Sequence, residues 1–288
     1  MQNKKKIIVT GAAGFIGKNL VLRLLKENYY VLSVDYKNPN IKHKNHKFHK
    51  SSIKRFFYKK KINNLYAIIH LAADPRNNYY YIKPGLALEN VSNMLVILDF
   101  IKNSKSEPTL IFSSTKTIEN DILAKNMGPY SISKRACEEL IGFYSRYYKV
   151  KFHIIRFNEV FSIKNNPKNK ALVKLLHKSE NNEKIFIDNK NHNFEYFNLE
   201  VICEGIVKIL KEKIKYQFIN FYGEKINILQ LVTKINKILN SNSKIVIKKQ
   251  TNKKSLVINN KTLYHKVSEK NKFFSNLHLI IKNEFKTK

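Results

Sequence analysis

The sequence predicts an α/β fold in which helices cover both faces of a parallel sheet. Short apolar runs alternate with segments whose apolar residues recur at helical spacing, and this alternation is typical of βαβ units. A glycine-rich turn joins the first apolar run to the first helical segment. With 43% apolar residues in a chain of 288, the sequence can also fill a large core.

The first half of the chain supplies the regular elements of this sheet. Buried strands are predicted where mostly apolar residues stand together, and helices where apolar residues share one face. The connections between strands are expected to be right-handed crossovers. We predict strands at 6–10, 30–35, 67–73, 109–115 and 151–157, and helices at 18–28, 86–103 and 129–148.

The regular alternation ends near residue 162. We therefore predict one domain over residues 1–162 and a smaller, interleaved C-terminal substrate lobe over residues 163–288. Part of that lobe, about 194–222, is expected to return to the first domain. The remaining elements are predicted as helices at 171–177, 200–212 and 229–239 and a strand at 217–223.

The net charge of +33 raises the question of a nucleic-acid partner. Only six of the 54 basic residues are Arg, the side chain that bidentate recognition of phosphates and bases favours. The lysines are also spread along the whole chain. The composition therefore argues against a nucleic-acid partner, while an attraction for anionic small molecules stays open.

Cysteine and histidine usage gives no metal site. The two cysteines, Cys137 and Cys203, are too few for a disulfide framework or a cysteine-rich zinc site. His43, His46 and His49 recur in KHKNHKFHK without acidic or cysteine neighbours, so we predict a solvated basic loop there. No apolar run is long enough for a signal peptide or a membrane span, which predicts a soluble, cytoplasmic protein that does not enter the membrane.

The turn Gly11-Ala-Ala-Gly14-Phe-Ile-Gly17 stands between the first strand and the first helix. The first glycine permits a tight turn, the second lets the backbone approach a pyrophosphate, and the third lets helix and strand pack closely. Free N–H groups at the helix start, around Phe15 and Ile16, add a partial positive charge. This stretch predicts a Rossmann-type, doubly wound sheet with a dinucleotide site.

The second predicted strand ends in Asp35. A carboxylate at this point accepts hydrogen bonds from the adenosine ribose hydroxyls and repels a 2′-phosphate. This predicts NAD, not NADP, as the cofactor. Lys37 lies close enough along the chain to weaken the preference.

The spaced motifs continue beyond the glycine turn. The third strand ends in His-Leu-Ala-Ala (70–73), Asn90-Val91 lies in the next helix, and Thr115 ends the strand FSST. Tyr130 and Lys134 follow on a further helix. Together these motifs resemble the extended short-chain dehydrogenase/reductase family, the NAD-dependent nucleotide-sugar epimerases and dehydratases.

The resemblance implies a set of contacts to NAD beyond the glycine turn and Asp35. Ser52 stands where many family members have an Asp that touches adenine, a contact that serine makes more weakly. The likeness is close over 6–160 and weaker at 194–207, 220–223 and 259–261. The further positions that correspond to cofactor contacts are Ser52, Ile53, Leu71, Ala72, Ala73, Tyr130 and Lys134.

Three tyrosine–lysine pairs share the Tyr-x-x-x-Lys spacing, and their placement separates them. Tyr79/Lys83 follows the third strand in a predicted loop, and Tyr147/Lys151 spans the end of a helix. Only Tyr130/Lys134 lies within one predicted helix, where residues four apart are neighbours. Only this pair also stands at the family's distance beyond a Ser or Thr at a strand end, namely Thr115.

The resemblance implies that Thr115, Tyr130 and Lys134 are catalytic. Free tyrosine has a pKa of about 10, and a nearby ammonium favours the phenolate. Tyr130 can then take a proton from a sugar hydroxyl while NAD accepts hydride from the same carbon. Lys134 would also hold the nicotinamide ribose, and Thr115 would hold the reacting oxygen.

Besides Ser52, the chain departs from the family's pattern at four places. Thr115 is followed by Lys116-Thr117 where sugar 4,6-dehydratases have Asp-Glu, which argues against dehydration. Residues 118–120 read Ile-Glu-Asn where Val-Tyr-Gly is usual. Glu159 occupies the position of a substrate-holding Asn, with Asn158 one residue earlier, so either can contact the substrate. Phe194 stands where many relatives have an Arg that binds the diphosphate.

These features favour an NAD-dependent, sugar-modifying oxidoreductase, foremost a nucleotide-sugar epimerase. A sugar or sugar-acid dehydrogenase or reductase and a non-catalytic NAD-binding protein remain alternatives. The implied partner is a small-molecule substrate, a nucleotide-activated sugar. The resemblance also implies a homodimer formed through helices 86–103 and 130–148.

Overall fold

The computed structural model describes most of the chain. The described residues are 4–59, 61–74, 76–120, 127–168, 170–212, 217–248, 265–268 and 273–285. Their contacts divide into two compact units. Unit 1 comprises residues 1–157, 203–220 and 256–266, and unit 2 comprises residues 158–202, 221–255 and 267–288.

A large sheet forms the centre of unit 1. Its strands are β1 (Lys6–Thr10), β2 (Tyr30–Asp35), β3 (His46–Lys50), β4 (Leu65–His70), β5 (Thr109–Thr115), β6 (Phe152–Phe157), β10 (Phe218–Tyr222) and β13 (His265–Ser268). Their order in the sheet is β13-β10-β6-β5-β4-β1-β2-β3, and the seven strands from β10 to β3 run parallel.

Helices follow most of these strands, as the alternation in the sequence predicts. The helices up to the end of β6 are α1 (Phe15–Lys26), α2 (Ile53–Lys59), α3 (Asn77–Ile82), α4 (Gly85–Lys102) and α5 (Pro129–Tyr148). A 3₁₀ helix, Lys116–Asn120, follows β5. Later in the chain, α7 (Leu199–Lys211) is tied to α1 by the ion pairs Arg23–Glu204, 3.4 Å, and Lys211–Glu27.

The sheet of unit 1 is buried on both faces. Ile8, Leu32 and Phe112 pack with α2, α4 and α5 in one continuous core. Their strand neighbours Ile7 and Ile111 point to the opposite face and are also fully buried. Burial on both faces explains why these strands read as continuous apolar runs.

The strand order places a switch point at the glycine turn. β1 pairs with β2 on one side and with β4 on the other, so the chain leaves β1 where the winding of the sheet reverses. In open α/β sheets, ligands bind outside the carboxyl ends of the strands at such a point. The predicted Rossmann-type fold is confirmed.

Unit 2 is smaller and holds its own core. A three-stranded sheet contains β7 (Glu159–Phe161), β9 (Asn193–Asn198) and β11 (Glu224–Asn227), and β8 (Ile185–Ile187) pairs with β12 (Ile245–Ile247). Its helices include α6 (Ala171–Glu180), α8 (Ile228–Leu239) and α9 (Phe273–Phe285). Phe161, Tyr196 and Phe273 pack against one another at the centre of its apolar cluster.

The second half of the histidine-rich segment, His46–Lys50, is a strand and not part of the solvated loop that the sequence predicts. β3 extends the sheet along β2, with Ser33 opposite Phe48. His46 Nε2 lies 2.9 Å from Ser33 Oγ, and its Nδ1 lies 3.0 Å from the Ile41 carbonyl oxygen. The backbone pairing of an edge strand tolerates basic side chains, so composition alone misses it.

Among the described residues, no helix combines the length and the apolar content that crossing a lipid bilayer requires.

Candidate active site

The glycine turn has the geometry that a close backbone approach requires. Gly11 adopts a φ of +70°, and its N–H donates to the Val34 carbonyl oxygen at 3.0 Å. A Cβ at Gly11 would lie 2.8 Å from the backbone nitrogen of Ala72. A Cβ at Gly17 would lie 2.1 Å from the Gly11 carbonyl oxygen. Side chains are therefore excluded at both positions.

Helix α1 begins at the turn with an unscreened N-terminus. Gly14 is the N-cap, and among the described residues no side chain caps the helix and no acid stands in its first turn. The first turn contains Phe15, Ile16 and Gly17, whose N–H groups point out of the helix start. This end can hold an anionic pyrophosphate, so the residues present fit a dinucleotide.

Asp35 stands beside this turn at the end of β2. Its Oδ2 accepts a hydrogen bond from the Ala13 N–H at 3.0 Å, and its Oδ1 accepts one from the Lys37 N–H, also at 3.0 Å. Each carboxylate oxygen retains a further acceptor site. The carboxylate therefore fixes the turn and can still receive two ribose hydroxyls.

Ser52 caps helix α2, which begins at Ile53. Its Oγ accepts a hydrogen bond from the Arg55 N–H at 3.2 Å. The hydroxyl hydrogen of Ser52 remains to donate to another group. A weak contact from this side chain to adenine is compatible with the capping role.

The end of β4 lies directly against the glycine turn. The Leu71 N–H donates to the Thr10 carbonyl oxygen at 3.3 Å, and Thr10 Oγ1 lies 2.7 Å from His70 Nδ1. Burial, with a smaller contribution from the charge of Lys134, lowers the pKa of His70 to about 3. His70 is therefore a neutral structural side chain that holds the strand end carrying Leu71 and Ala72.

Thr115 is the last residue of β5 and is buried. Its Oγ1 lies 3.0 Å from Thr117 Oγ1 and accepts a hydrogen bond from the Thr117 N–H at 3.3 Å. Thr117 Oγ1 lies 2.7 Å from Ser131 Oγ, on the first turn of α5. A chain of three hydroxyl groups thus joins the end of β5 to the start of α5.

Lys134 is buried behind Tyr130 on α5. Its Nζ donates to the Ser113 carbonyl oxygen at 2.8 Å and lies 5.7 Å from the centre of the Tyr130 ring. The same ammonium lies 4.6 Å from the centre of the Phe112 ring. Burial lowers the pKa of Lys134 to about 8, although Cys137 and Glu138 act in the opposite direction.

The other two tyrosine–lysine pairs have different surroundings. The Arg76 guanidinium lies 3.9 Å from the centre of the Tyr79 ring, closer than Lys83 Nζ at 5.5 Å. Tyr147 is 69% exposed, and Lys151 lies beyond the end of α5 in an ion pair with Glu107 at 3.0 Å. Of the three pairs, only Tyr130/Lys134 combines a buried ammonium with the carboxyl end of a central strand.

The sequence did not single out three neighbours of these residues. Thr117 and Ser131 complete the hydroxyl chain, and Tyr80 packs its ring edge to face on Tyr130 with centroids 5.2 Å apart. The two-residue spacing of Thr115 and Thr117 at a strand end was the available signal for Thr117. Tyr80 is 50 residues from Tyr130, so only the tertiary structure reveals their contact.

The predicted substrate residues Asn158 and Glu159 belong to unit 2. Asn158 Nδ2 donates to Glu195 Oε2 at 2.9 Å, and the Gly223 N–H donates to the other oxygen of Glu195 at 3.1 Å. Glu159 forms an ion pair with Lys170 at 3.6 Å. The ammonium of Lys170 therefore partly offsets the acidic charge of Glu159.

Phe194 replaces the family's arginine with an apolar contact. Its ring stacks on Tyr196 at 5.5 Å and meets His192 edge to face at 4.6 Å. Residues 118–120 complete the 3₁₀ helix after β5, with Ile118 buried. The motif at 259–261 lies outside the described residues.

The model of the NAD dependent epimerase/dehydratase family matches residues 7–223. The chain is 29% identical over 182 residues to the putative UDP-glucose 4-epimerase of Methanocaldococcus jannaschii, across 57% of this chain and 59% of that protein. It is 26% identical over 246 residues to the dTDP-D-glucose 4,6-dehydratase of Dictyostelium discoideum, across 72% and 56% of the two chains. The chain therefore spans less than two thirds of the length of these two curated relatives.

The fold is shared with solved structures. The UDP-glucose 4-epimerase of Thermotoga maritima, crystallised with UDP-glucose, superposes with a TM-score of 0.79 at 21% identity, across 98% of this chain and 99% of that one. The family match covers well over half of the chain, which confirms the predicted family. The chain belongs to the NAD dependent epimerase/dehydratase family.

Proposed function

We propose that this protein is a nucleotide-sugar epimerase in which Tyr130 is the catalytic base. The observation that carries the proposal is the buried Lys134 ammonium, which lies 5.7 Å from the ring centre of Tyr130 and is fixed to the Ser113 carbonyl oxygen. A cation held at this distance favours the phenolate. The hydroxyl of Thr115 stands two residues further along the same strand.

The residues that would hold NAD are those of the switch point. The backbone of five residues of the turn would face the pyrophosphate: Gly11, Gly14, Phe15, Ile16 and Gly17. Asp35 would receive the adenosine ribose hydroxyls. When bound, NAD supplies a hydride acceptor and, in its reduced form, a hydride donor. The further proposed contacts are those of Ser52, Ile53, Leu71, Ala72, Ala73, Tyr130 and Lys134.

The chain's own residues would handle the proton and the substrate. Tyr130 removes the proton from the sugar hydroxyl and returns it at the end of the cycle. Thr115 donates a hydrogen bond from its hydroxyl to the reacting oxygen. The oxygen of the same hydroxyl accepts a hydrogen bond from the Thr117 N–H. We propose that Asn158 and Glu159 contact the sugar. Their side-chain oxygens can accept hydrogen bonds from the sugar hydroxyl groups.

Dehydration is disfavoured by the residues that follow Thr115. Elimination of water needs an acid and a base beside the sugar, and carboxyl groups supply these roles. Lys116 and Thr117 occupy those two positions in this chain. The Thr117 hydroxyl is engaged with Thr115 and Ser131 and is not an acid near neutral pH.

The test is turnover of a panel of nucleotide sugars by the NAD-loaded protein, followed by chromatography and NMR of the products. We expect interconversion of one epimer pair. Tyr130→Phe should lower turnover by a factor of about 10² or more because the base is removed. Tyr58→Phe, which removes the same atom from an exposed phenol, is the matched control. Full turnover by Tyr130→Phe would refute the proposal.

Absorbance at 340 nm separates this function from that of a dehydrogenase. An epimerase returns the hydride, so NADH should not accumulate during turnover. Stoichiometric formation of NADH with a sugar or sugar acid would instead establish the dehydrogenase.

We further propose that the protein is a homodimer formed through α4 and α5. These two helices are tied by the Tyr144 hydroxyl, which donates to Asp99 Oδ1 at 2.7 Å. Large apolar side chains nevertheless remain exposed on them, which is typical of an interface. These are Leu88, Leu95, Ile132, Phe143, Tyr147 and Tyr148.

The oligomeric state can be measured by light scattering coupled to gel filtration. Wild type is expected to have twice the chain's 33.9 kDa mass. Phe143→Glu, which places a charge in the apolar surface, should give a monomer. Tyr58→Glu adds the same charge on α2 and should leave the dimer intact.

A further inference from the structure

Tyr80 is a buried phenol for which the proposed function has no role. Its side chain is fully buried within unit 1, on the short helix α3. Its ring meets the ring of Tyr130 at a centroid distance of 5.2 Å and an interplanar angle of 64°. Edge-to-face pairs of this kind hold a defined orientation of both rings.

The hydroxyl of Tyr80 belongs to a hydrogen-bonded chain with a fixed direction. Asn90 Nδ2 donates to Tyr80 Oη and to Ser133 Oγ, both at 3.0 Å. Ser133 Oγ donates in turn to the Tyr130 carbonyl oxygen at 2.7 Å. Because the Ser133 hydrogen is committed to Tyr130, its oxygen must accept from Asn90, which fixes the orientation of the amide.

The surroundings of this phenol act on its ionisation in opposite directions. Burial raises the pKa of Tyr80, while the Asn90 amide and the backbone of Asp74 act to lower it. Asp74 comes directly after Leu71, Ala72 and Ala73, the proposed contacts to the cofactor. Tyr80 therefore contacts Tyr130 through its ring, and its hydroxyl is linked to α5 by way of Asn90 and Ser133.

We propose that Tyr80 is a positioning residue for Tyr130. It holds the phenol of Tyr130 in the orientation that faces Lys134, through the ring contact and through the hydrogen bonds of Asn90 and Ser133. The inference rests on the proposed function because it assigns Tyr130 the role of the base. A residue with a packing role alone would support the stability of unit 1 without affecting the ionisation of Tyr130.

Two substitutions distinguish the contribution of the Tyr80 ring from that of its hydroxyl. Tyr80→Leu removes the ring contact and leaves Tyr130 free to rotate away from the ammonium. Tyr80→Phe keeps the ring and the core volume but leaves a buried N–H of Asn90 without its acceptor. Tyr58→Phe is the control, since it removes a hydroxyl from an exposed ring far along the chain from α3.

The decisive measurement is the ionisation of Tyr130 in the NAD-loaded protein. The protein is labelled with tyrosine carrying ¹³C at Cζ, and the Tyr130 signal is identified by its loss in Tyr130→Phe. We expect Tyr80→Leu to move the titration midpoint upward, toward the ordinary tyrosine value of about 10, because the phenolate loses its alignment with Lys134. Tyr80→Phe should shift the midpoint in the same direction by less.

Kinetics supply a second measurement. Tyr80→Leu should lower kcat by about 10- to 100-fold with KM little changed, as misalignment of a catalytic group does. A folded Tyr80→Leu protein with the wild-type midpoint would overturn the inference. If that variant does not fold, an unchanged midpoint in Tyr80→Phe overturns it.

The two proposals fail in different ways. If wild type converts no nucleotide sugar, the proposed function fails. The Tyr130 titration needs no turnover and still decides the role of Tyr80.

Discussion

The Lys134 ammonium donates a hydrogen bond of 2.8 Å to the Ser113 carbonyl oxygen, deep inside unit 1. This contact joins helix α5 to the strand that ends in Thr115. It also places a positive charge where only 2% of the residue reaches solvent. Burial of this kind lowers the pKa of the ammonium to about 8, so its charge is lost within an accessible pH range.

We expect turnover to fall as the pH rises through about 8. Above this value Lys134 becomes neutral and no longer favours the phenolate of Tyr130. Lys134→Met, which is neutral at every pH, should lower kcat by a factor of about 10² to 10⁴ and show no inflection near pH 8. The measurement is kcat from pH 6 to 10 with the sugar that wild type converts.

The matched control for Lys134→Met is Lys151→Met, in the third tyrosine–lysine pair. Lys151 forms an exposed ion pair with Glu107, so its loss should leave the pH profile unchanged. A flat wild-type profile across this range would contradict the role given to Lys134.

The sequence predicted central strands that are buried on both faces, and it predicted the long helix α5. The strands at 6–10, 30–35 and 109–115 and the helix at 129–148 have the predicted bounds. Continuous apolar composition and the proline at the start of α5 identify such elements without tertiary information. The glycine turn was also recognisable from the sequence, because its three glycines stand between a strand and a helix. At two of them, Gly11 and Gly17, backbone atoms leave no room for a Cβ.

Elements that depend on their neighbours were missed. β3 has the sequence HKFHK and is held by backbone pairing with β2, which no side-chain pattern reveals. The contact of Tyr80 with Tyr130 joins α3 to α5, so it depends on the packing of two helices. The three strands of the small sheet in unit 2 are short and were likewise not predicted.

Asp35 should determine the choice between NAD and NADP. Its carboxylate can receive the ribose hydroxyls and would repel a 2′-phosphate. Asp35→Asn should weaken NAD binding by about tenfold and strengthen NADP binding relative to NAD, because the charged acceptor is lost. The measurement is the Kd of both cofactors by calorimetry at one fixed salt concentration.

A control for net charge is needed because the chain carries +33. Asp188→Asn removes the same charge from an exposed carboxylate in unit 2. It should leave the ratio of the two Kd values unchanged. An unchanged ratio in Asp35→Asn would contradict the assignment.

Gly17 should not tolerate even a methyl group. A Cβ there would lie 2.1 Å from the Gly11 carbonyl oxygen, and neither backbone segment can move without disturbing β1. We expect Gly17→Ala to lower the free energy of unfolding by about 1–3 kcal/mol and to abolish NAD binding. Urea denaturation and calorimetry measure the two effects.

Gly85→Ala is the comparison for Gly17→Ala. No atom lies within 4 Å of a Cβ at Gly85, the first residue of α4. At Gly85 the substitution should leave the free energy of unfolding unchanged or raise it by up to about 1 kcal/mol. Equal changes in unfolding free energy at Gly17 and Gly85 would mean that the close packing at the glycine turn does not contribute to stability.

His70 should make the protein less stable in mild acid. Its pKa is lowered to about 3 in the folded protein, whereas an unfolded histidine titrates near 6.5. Between these values the unfolded chain binds a proton that the folded chain does not. The stabilisation is therefore complete above about pH 6.5 and is lost progressively as the pH falls toward 3.

From pH 7 to pH 5, this linkage should cost wild type about 2 kcal/mol of unfolding free energy. His70→Gln keeps a neutral polar side chain beside Thr10 and cannot gain the charge, so this part of the loss should be absent. Urea denaturation at the two pH values measures the difference. His278→Gln, on the surface of α9, should retain the full wild-type loss. If His70→Gln loses as much stability as wild type, His70 does not titrate as its burial requires.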